Sequence, residues 1–103
     1  MVDHELNELR REFLDEAREK VEEMQALLDG GSASQSLDRL AYLAHQLKGS
    51  GGSYGYQRIS DDATELEKAV ESRTSSDGGD DGVLMRYVVS LREEIDRAAK
   101  ELA

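Results

Sequence analysis

The chain contains two histidines, His4 and His45, and their surroundings differ. His4 lies at the first turn of a predicted helix, where an exposed side chain is expected. His45 lies within an amphipathic segment, and at about 100° per residue its side chain points roughly 140° away from the centre of the apolar cluster. That cluster comprises Leu40, Leu43, Ala44 and Leu47. The spacing therefore predicts an imidazole in solvent, where a neutral ring can act as a nucleophile.

Two features near His45 would suit an imidazole that carries a phosphoryl group. Lys48, one helical turn further on, can reach an oxygen attached to the ring, and its charge would offset the charge of that group. Gly49 and Gly52 follow on the same side of the helix and would let the backbone of another protein approach. Each feature also has an ordinary interpretation: Lys48 as a solvated lysine, and the glycines as a fraying helix end.

Other kinds of chemistry lack the residues they need. The chain has no cysteine, which excludes disulfides, thiol nucleophiles and cysteine-based metal sites. A Gly-x-Gly-x-x-Gly motif beginning at Gly49 would require glycine where Tyr54 stands, and no P-loop motif is present, so a kinase with its own ATP site is not expected. The spacing of Asp77, Asp80 and Asp81 does not match a calcium loop, and two histidines a helix apart do not suit zinc. We therefore expect neither a metal nor a cofactor.

The net charge of −10 is distributed unevenly along the chain. Residues 1–31 and residues 61–103 each carry a balance of −6, whereas residues 32–60 carry +2. The overall acidity argues against nucleic acid as a partner, because binding to phosphates needs a basic surface. The segment around His45 is nearly free of carboxylates, as a site for an anion would require, although chance in a small sample would also explain the pattern.

Apolar spacing predicts four helices, at about 3–29, 34–51, 56–72 and 81–102. The absence of proline and the abundance of strong helix formers agree with this assignment. The first apolar stripe comprises Leu6, Leu9, Phe13, Ala17, Val21, Met24, Leu27 and Leu28, and the third stripe begins at Tyr56. Four amphipathic helices with short links would bury their stripes together. The predicted fold is therefore all-α: an antiparallel up-down four-helix bundle that forms one domain over residues 1–103.

No apolar run approaches the roughly 20 residues of a membrane span, and the acidic N-terminus does not resemble a secretory signal. We expect a soluble cytoplasmic protein with no membrane contact. Polar faces on all four helices favour a monomer.

The run from Ala44 to Tyr56, AHQLKGSGGSYGY, resembles the His-x-x-Lys-Gly signature of histidine phosphotransfer (HPt) domains. Ile59, Ala63, Leu66 and Glu67 continue the pattern downstream. The stretch Phe13-Leu14-Asp15-Glu16-Ala17, together with Leu27-Leu28, is similar to the first helix of such domains. The resemblance covers nearly the whole chain and agrees with the predicted four-helix architecture.

The resemblance implies a role for several residues. His45 would be the phosphoacceptor through Nε2, Lys48 would stabilise the phosphoryl oxygens, and Gly49 would give a partner steric clearance. The chain is also similar to the N-terminal domain of chemotaxis histidine kinases, in which a glutamate bonds the other imidazole nitrogen; Glu67 occupies the matching position. Such a bond would set the tautomer, but Glu67 could equally be a surface charge. Thr64 stands where the chemotaxis domain has a second histidine, so its full hydrogen-bond network is in doubt.

These features predict a phosphoprotein of a two-component phosphorelay that takes a phosphoryl group on His45 from the aspartate of a response-regulator receiver domain and passes it to another. The receiver would supply Mg²⁺, and the contact surface would include Tyr42, Gln46, Gly49 and Gly52. A sensor histidine kinase is a further possible partner, and whether such a carrier counts as an enzyme stays open. Two alternatives remain. One is a fragment of a chemotaxis-type kinase, phosphorylated by an ATP-binding domain. The other is a non-catalytic helical docking module.

Overall fold

A computed structural model describes residues 4–30, 34–75 and 81–102. Within these segments lie four helices and no strand: α1 (His4–Asp29), α2 (Ser34–Ser53), α3 (Gln57–Ser75) and α4 (Asp81–Leu102). The prediction of an all-α fold is confirmed. α2 continues two residues beyond its predicted end and α3 three residues beyond its own, whereas Tyr56 precedes α3 and is not its first residue. Asp77 and Asp80, whose spacing does not match a calcium loop, lie outside the described residues.

Each helix packs against two others, in the cyclic order α1, α2, α3, α4. The contacts between α2 and α3 run in opposite directions along the two helices. His45 contacts Glu67, and Lys48, three residues later, contacts Ser60, seven residues earlier. This order is the one that antiparallel neighbours require, and it brings the middle of α3 beside the predicted nucleophile.

The four apolar stripes meet in one core. Buried positions on α1 recur at helical spacing: Phe13, Leu14, Ala17, Val21, Met24 and Leu28. The expectation that Leu9 belongs to this core is wrong, because 46% of its surface is exposed. At about 100° per residue Leu9 and Leu27 lie at the edge of the buried arc, while Leu14, which the predicted stripe omits, lies inside it.

The turn between α2 and α3 is attached to α1. Gly55 adopts a φ of +85°, a conformation that favours glycine and reverses the chain within three residues. The rings of Tyr54 and Tyr56 stack on Phe13, with centroids 5.1 Å and 5.9 Å from its own. Arg10 Nε also donates to the Tyr54 carbonyl at 3.3 Å. These contacts hold α1 against the C-terminal end of α2 and the turn that follows it.

Partial burial of the turn removes the Tyr56 phenol from water, and this desolvation raises the pKa of the phenol. Across the described residues, no helix combines the length and the apolar character that a membrane crossing demands.

Candidate functional site

The His45 side chain is exposed over 67% of its surface, and its Nδ1 lies 3.0 Å from Oε2 of Glu67. Glu67, by contrast, is only 19% exposed and lies between α2 and α3. A carboxylate can only accept a hydrogen bond, so the contact assigns the proton of a neutral imidazole to Nδ1. Nε2 is then the nitrogen with the free lone pair. The arrangement presents a nucleophilic nitrogen on the protein surface.

Core packing explains why these two side chains meet. On α2, Ala44 and Leu47 are fully buried, which turns His45 and Lys48 outward. On α3, Leu66 is fully buried, and Glu67 follows it at the edge of the interface with α2. Each helix therefore orients its polar residue through an apolar neighbour, and the antiparallel pairing brings the two polar residues together.

Glu67 contacts both residues of the predicted His-x-x-Lys pair. Its second oxygen, Oε1, lies 3.5 Å from Nζ of Lys48, whose side chain is 44% exposed. An ion pair of this length and exposure contributes little to stability and is readily exchanged. The Lys48 ammonium is thus close to the imidazole and free to move to another anion.

The predicted glycines differ in what surrounds them. A Cβ placed on Gly49 would meet nothing within 4 Å, so no internal contact requires glycine there. A Cβ on Gly52 would lie 3.7 Å from Ser60 Oγ, so this glycine borders α3. Gly49 is therefore the position at which a missing side chain leaves open space beside His45.

Tyr42 and Gln46 flank His45 on the outer surface of α2. The Tyr42 ring is 51% exposed, and its hydroxyl accepts a hydrogen bond from Gln46 Nε2 at 2.8 Å. The Arg39 guanidinium lies over the same ring, 5.3 Å from its centroid. These contacts order an aromatic surface next to the imidazole.

The sequence does not single out the contribution of α1 to this region. An open groove beside His45 is lined on one side by Glu16 and Lys20 of α1, and on the other by Gln46, Gly49 and Ser53 of α2. The pairing of α1 with α2 is a tertiary feature, and although Glu16 lies in the stretch that resembles the first helix of HPt domains, that resemblance assigns it no role at the site. A partner that covers His45 from this side would also contact α1.

Thr64 does not join the hydrogen bonds around the imidazole. Its hydroxyl donates to the Ser60 carbonyl within α3, at 2.8 Å. The second member of the chemotaxis network therefore has no counterpart here, whereas the contact between Glu67 and His45 is present.

No group of three or more potential metal ligands occurs among the residues that the structure describes. A separate cavity of about 320 Å³ lies between the start of α3 and the end of α4, and Tyr56, Arg58, Arg97 and Glu101 are among its lining residues. None of the predicted site residues lines this cavity. The site around His45 is thus a surface feature, suited to another macromolecule.

An exposed imidazole, oriented by a carboxylate on a helical bundle, defines a class of proteins that offer a surface histidine for group transfer. A family model described as the Hpt domain matches residues 8–101. The chain belongs to this family, whose members carry out histidine phosphotransfer in phosphorelays and interact with response regulators and kinases. A search of curated proteins and a search of solved structures each gave no match.

Proposed function

We propose that this protein is a phosphorelay carrier in which His45 takes a phosphoryl group from the aspartate of one receiver domain and delivers it to the aspartate of another. The observation that supports this most directly is the pairing of a 67% exposed imidazole with a largely covered carboxylate at 3.0 Å. That pairing directs the free lone pair to Nε2 and leaves the ring accessible to a second protein.

The transfer step follows from this geometry. The Nε2 lone pair of His45 attacks the phosphorus of a phospho-aspartate, and the N–P bond forms as the P–O bond breaks. The bonding electrons of the P–O bond remain on the aspartate carboxylate. Because Nδ1 keeps its proton, the phosphorylated ring carries a positive charge, which the Glu67 carboxylate stabilises from 3.0 Å. Delivery to the second receiver is the reverse of this step.

Lys48 has a role that develops during the step. Before transfer its ammonium lies 3.5 Å from Glu67 Oε1. A phosphoryl group on Nε2 brings oxygens that carry more negative charge than the single Glu67 carboxylate. The Lys48 ammonium can then leave its weak ion pair with Glu67 and contact the phosphoryl oxygens. In this proposal the receiver supplies Mg²⁺ and most of the stabilisation of the transition state, and the carrier uses no cofactor of its own.

The partner surface is centred on His45 and includes Tyr42, Gln46, Gly49 and Gly52. The open space above Gly49 gives room for the backbone of the receiver. The segment 32–60 carries a balance of +2 in a chain of net charge −10. An acidic receiver pocket would therefore dock on this segment in preference to the other, more acidic surfaces of this protein. The carrier presents this surface as a monomer.

The test is transfer of labelled phosphate from a phosphorylated receiver to the purified protein in the presence of Mg²⁺. We expect acid-labile label on the wild-type protein and none on His45→Gln. His4→Gln is the matched control, because His4 is an exposed histidine at the start of α1, and it should label normally. Acid-labile label on His45→Gln would disprove the assignment.

Direct phosphorylation by an ATP-binding kinase domain is the second candidate. The contact between Glu67 and His45 supports it, since the resemblance to chemotaxis kinases implies that bond, whereas Thr64 departs from their pattern. Adding such a kinase domain with labelled ATP, in the absence of any receiver, separates the two donors. A docking module without chemistry would bind receivers equally well after His45→Gln and take up no label from either donor.

A further inference from the structure

Ser60 has a buried polar side chain, with 9% of its surface exposed. Its hydroxyl lies on α3 and donates a hydrogen bond of 2.9 Å to the Lys48 carbonyl on α2. Burying a hydroxyl between two helices costs free energy unless the hydroxyl makes a hydrogen bond, whereas burying an apolar side chain carries no such cost. This bond fixes α3 to the backbone of the same helical turn that presents His45 and Lys48.

The two helices approach closely at this point because position 51 has no side chain. A Cβ on Gly51 would lie 3.2 Å from the Ser60 backbone nitrogen and 3.3 Å from Cγ2 of Ile59. Both distances are tighter than ordinary contact, so a side chain there would push α2 away from α3. Gly51 and Ser60 together form a seam, defined here as the close backbone contact of α2 and α3 with its one interhelical hydrogen bond.

The seam and the contact between His45 and Glu67 lie at different levels of the same helix pair. Ser60 and Glu67 are two helical turns apart on α3, about 10.5 Å along the axis. On α2 the Lys48 carbonyl points toward the C-terminal end, while the His45 side chain leans toward the N-terminal end, so its two contacts are also well separated. A displacement of α2 at the seam would therefore change the distance and angle at which the imidazole meets Glu67.

The exposed contacts cannot set this register by themselves. His45 is 67% exposed and Lys48 44% exposed, and solvent competes for each of their bonds to Glu67. The Ser60 hydrogen bond is less exposed to water than these contacts, since only 9% of the surface of Ser60 is exposed, and it is the more rigid constraint.

We infer that Ser60, packed against Gly51, is a positioning residue for His45: its bond to the Lys48 carbonyl holds α2 in the register that keeps Nδ1 on Glu67. The kinetic part of this inference rests on the proposed function, whereas the part that concerns the imidazole tautomer does not.

Thr64 provides a matched control on the same helix. Its hydroxyl also bonds a backbone carbonyl, that of Ser60, but this bond stays within α3 and does not reach α2. Ser60→Ala and Thr64→Ala each remove one hydroxyl from a half-buried or buried position of α3. Only Ser60→Ala removes a bond between the helices.

The first measurement is the ¹⁵N NMR spectrum of the His45 ring above pH 7, under conditions in which circular dichroism shows every variant folded. In the wild type and in Thr64→Ala we expect the Nδ1–H tautomer to dominate. In Ser60→Ala the Nε2–H tautomer should gain population at its expense. If Ser60→Ala proves unfolded, Gly51→Ala tests the same seam from α2 and should give the same change.

The second measurement is the rate at which phosphoramidate, a small donor with no docking surface, labels the protein. One hydrogen bond of ordinary strength corresponds to about a fivefold to tenfold loss of rate in Ser60→Ala. Thr64→Ala should stay close to the wild type.

Ser60→Ala spectra that match those of Thr64→Ala would overturn the positioning role, whatever the labelling shows. A tautomer change in Ser60→Ala, combined with a wild type that takes no label from any donor, would support the positioning role and refute the proposed function. A labelled wild type whose rate Ser60→Ala leaves unchanged would remove the kinetic consequence inferred here.

Discussion

Glu67→Gln should slow the phosphorylation of His45 while leaving the bundle folded. The substitution keeps the size of the side chain and an oxygen that can still accept from Nδ1–H. It removes the negative charge that faces the ring at 3.0 Å. The effect therefore isolates the electrostatic part of the contact, which matters most when the phosphorylated ring becomes cationic.

The expected magnitude follows from the strength of the bond and from its exposure. A hydrogen bond to a charged group contributes about 1.5–3 kcal/mol and a neutral one about 0.5–1.5 kcal/mol, so the loss is about 1–1.5 kcal/mol. Two unit charges about 4 Å apart interact by about 4 kcal/mol at a dielectric constant of 20 but by about 1 kcal/mol in water. Because the imidazole is 67% exposed, the lower end applies. A loss of about 1 kcal/mol slows the reaction about fivefold.

The assay is single-turnover labelling of the purified protein by phosphoramidate, followed by denaturant unfolding of each variant. Glu65→Gln is the control, because Glu65 is an exposed carboxylate on the same helix that pairs with Lys68, 3.9 Å away. It removes one negative charge from α3 without touching the imidazole. We expect it to label at the wild-type rate.

Two results would refute this reasoning. One is a wild-type labelling rate in Glu67→Gln, which would mean that the charge of Glu67 has no part in the step. The other is an equal loss in Glu65→Gln, which would show that the rate follows the overall charge of α3 and not the contact with His45.

Three further predictions concern the surroundings of the site. Lys48→Met should slow labelling, because it removes the cation that can reach the phosphoryl oxygens, yet change the free energy of unfolding by only about 0.5 kcal/mol, since the ammonium is exposed. Gly49→Ala should raise the free energy of unfolding by about 0.5–1 kcal/mol as a better helix former in open space, while transfer from a receiver slows. Burial raises the pKa of Asp62, whose carboxylate accepts from Ser90 at 2.8 Å, so the native state binds its proton more tightly than the unfolded state. Asp62→Asn should therefore be more stable than the wild type at pH 7, and this gain should disappear as the pH falls through the raised pKa toward 3.8.

Denaturant unfolding and receiver transfer assays check all three. Lys48→Arg is the control for the lysine, because it keeps the positive charge. A Gly49→Ala protein that transfers at the wild-type rate would argue against a receiver backbone above this glycine. A stability difference for Asp62→Asn that stays constant from pH 7 to acid would show that burial of the charge is not its cause.

Local features of the sequence were enough for the helices and for the exposure of the nucleophile. The buried positions of α2 recur at helical spacing, and this periodicity alone predicts that His45 points outward. The 67% exposure of its side chain agrees with that prediction. Helical periodicity depends on neighbours within one or two turns, which are present in the sequence itself. The same argument failed for Leu9 because it lies at the edge of the buried arc, where exposure depends on how far the adjacent helices extend.

The partners of the nucleophile were beyond local reasoning. The position of Glu67 followed only from a resemblance, and a surface charge was an equal alternative. His45 and Glu67 are 22 positions apart, and their contact depends on the register between two helices. Glu16 and Lys20 adjoin the site for a comparable reason, since α1 is attached to the turn after α2 through aromatic stacking on Phe13.

The sequence by itself therefore determined four amphipathic helices, an imidazole in solvent and an ammonium one turn away. Tertiary structure alone decided which nitrogen of the imidazole is free, because the carboxylate that binds Nδ1 comes from another helix. It also decided the seam of Gly51 and Ser60, which has no signature in either segment. The physical reason is range: backbone periodicity repeats within a few residues, whereas the register between helices depends on the packing of the whole core.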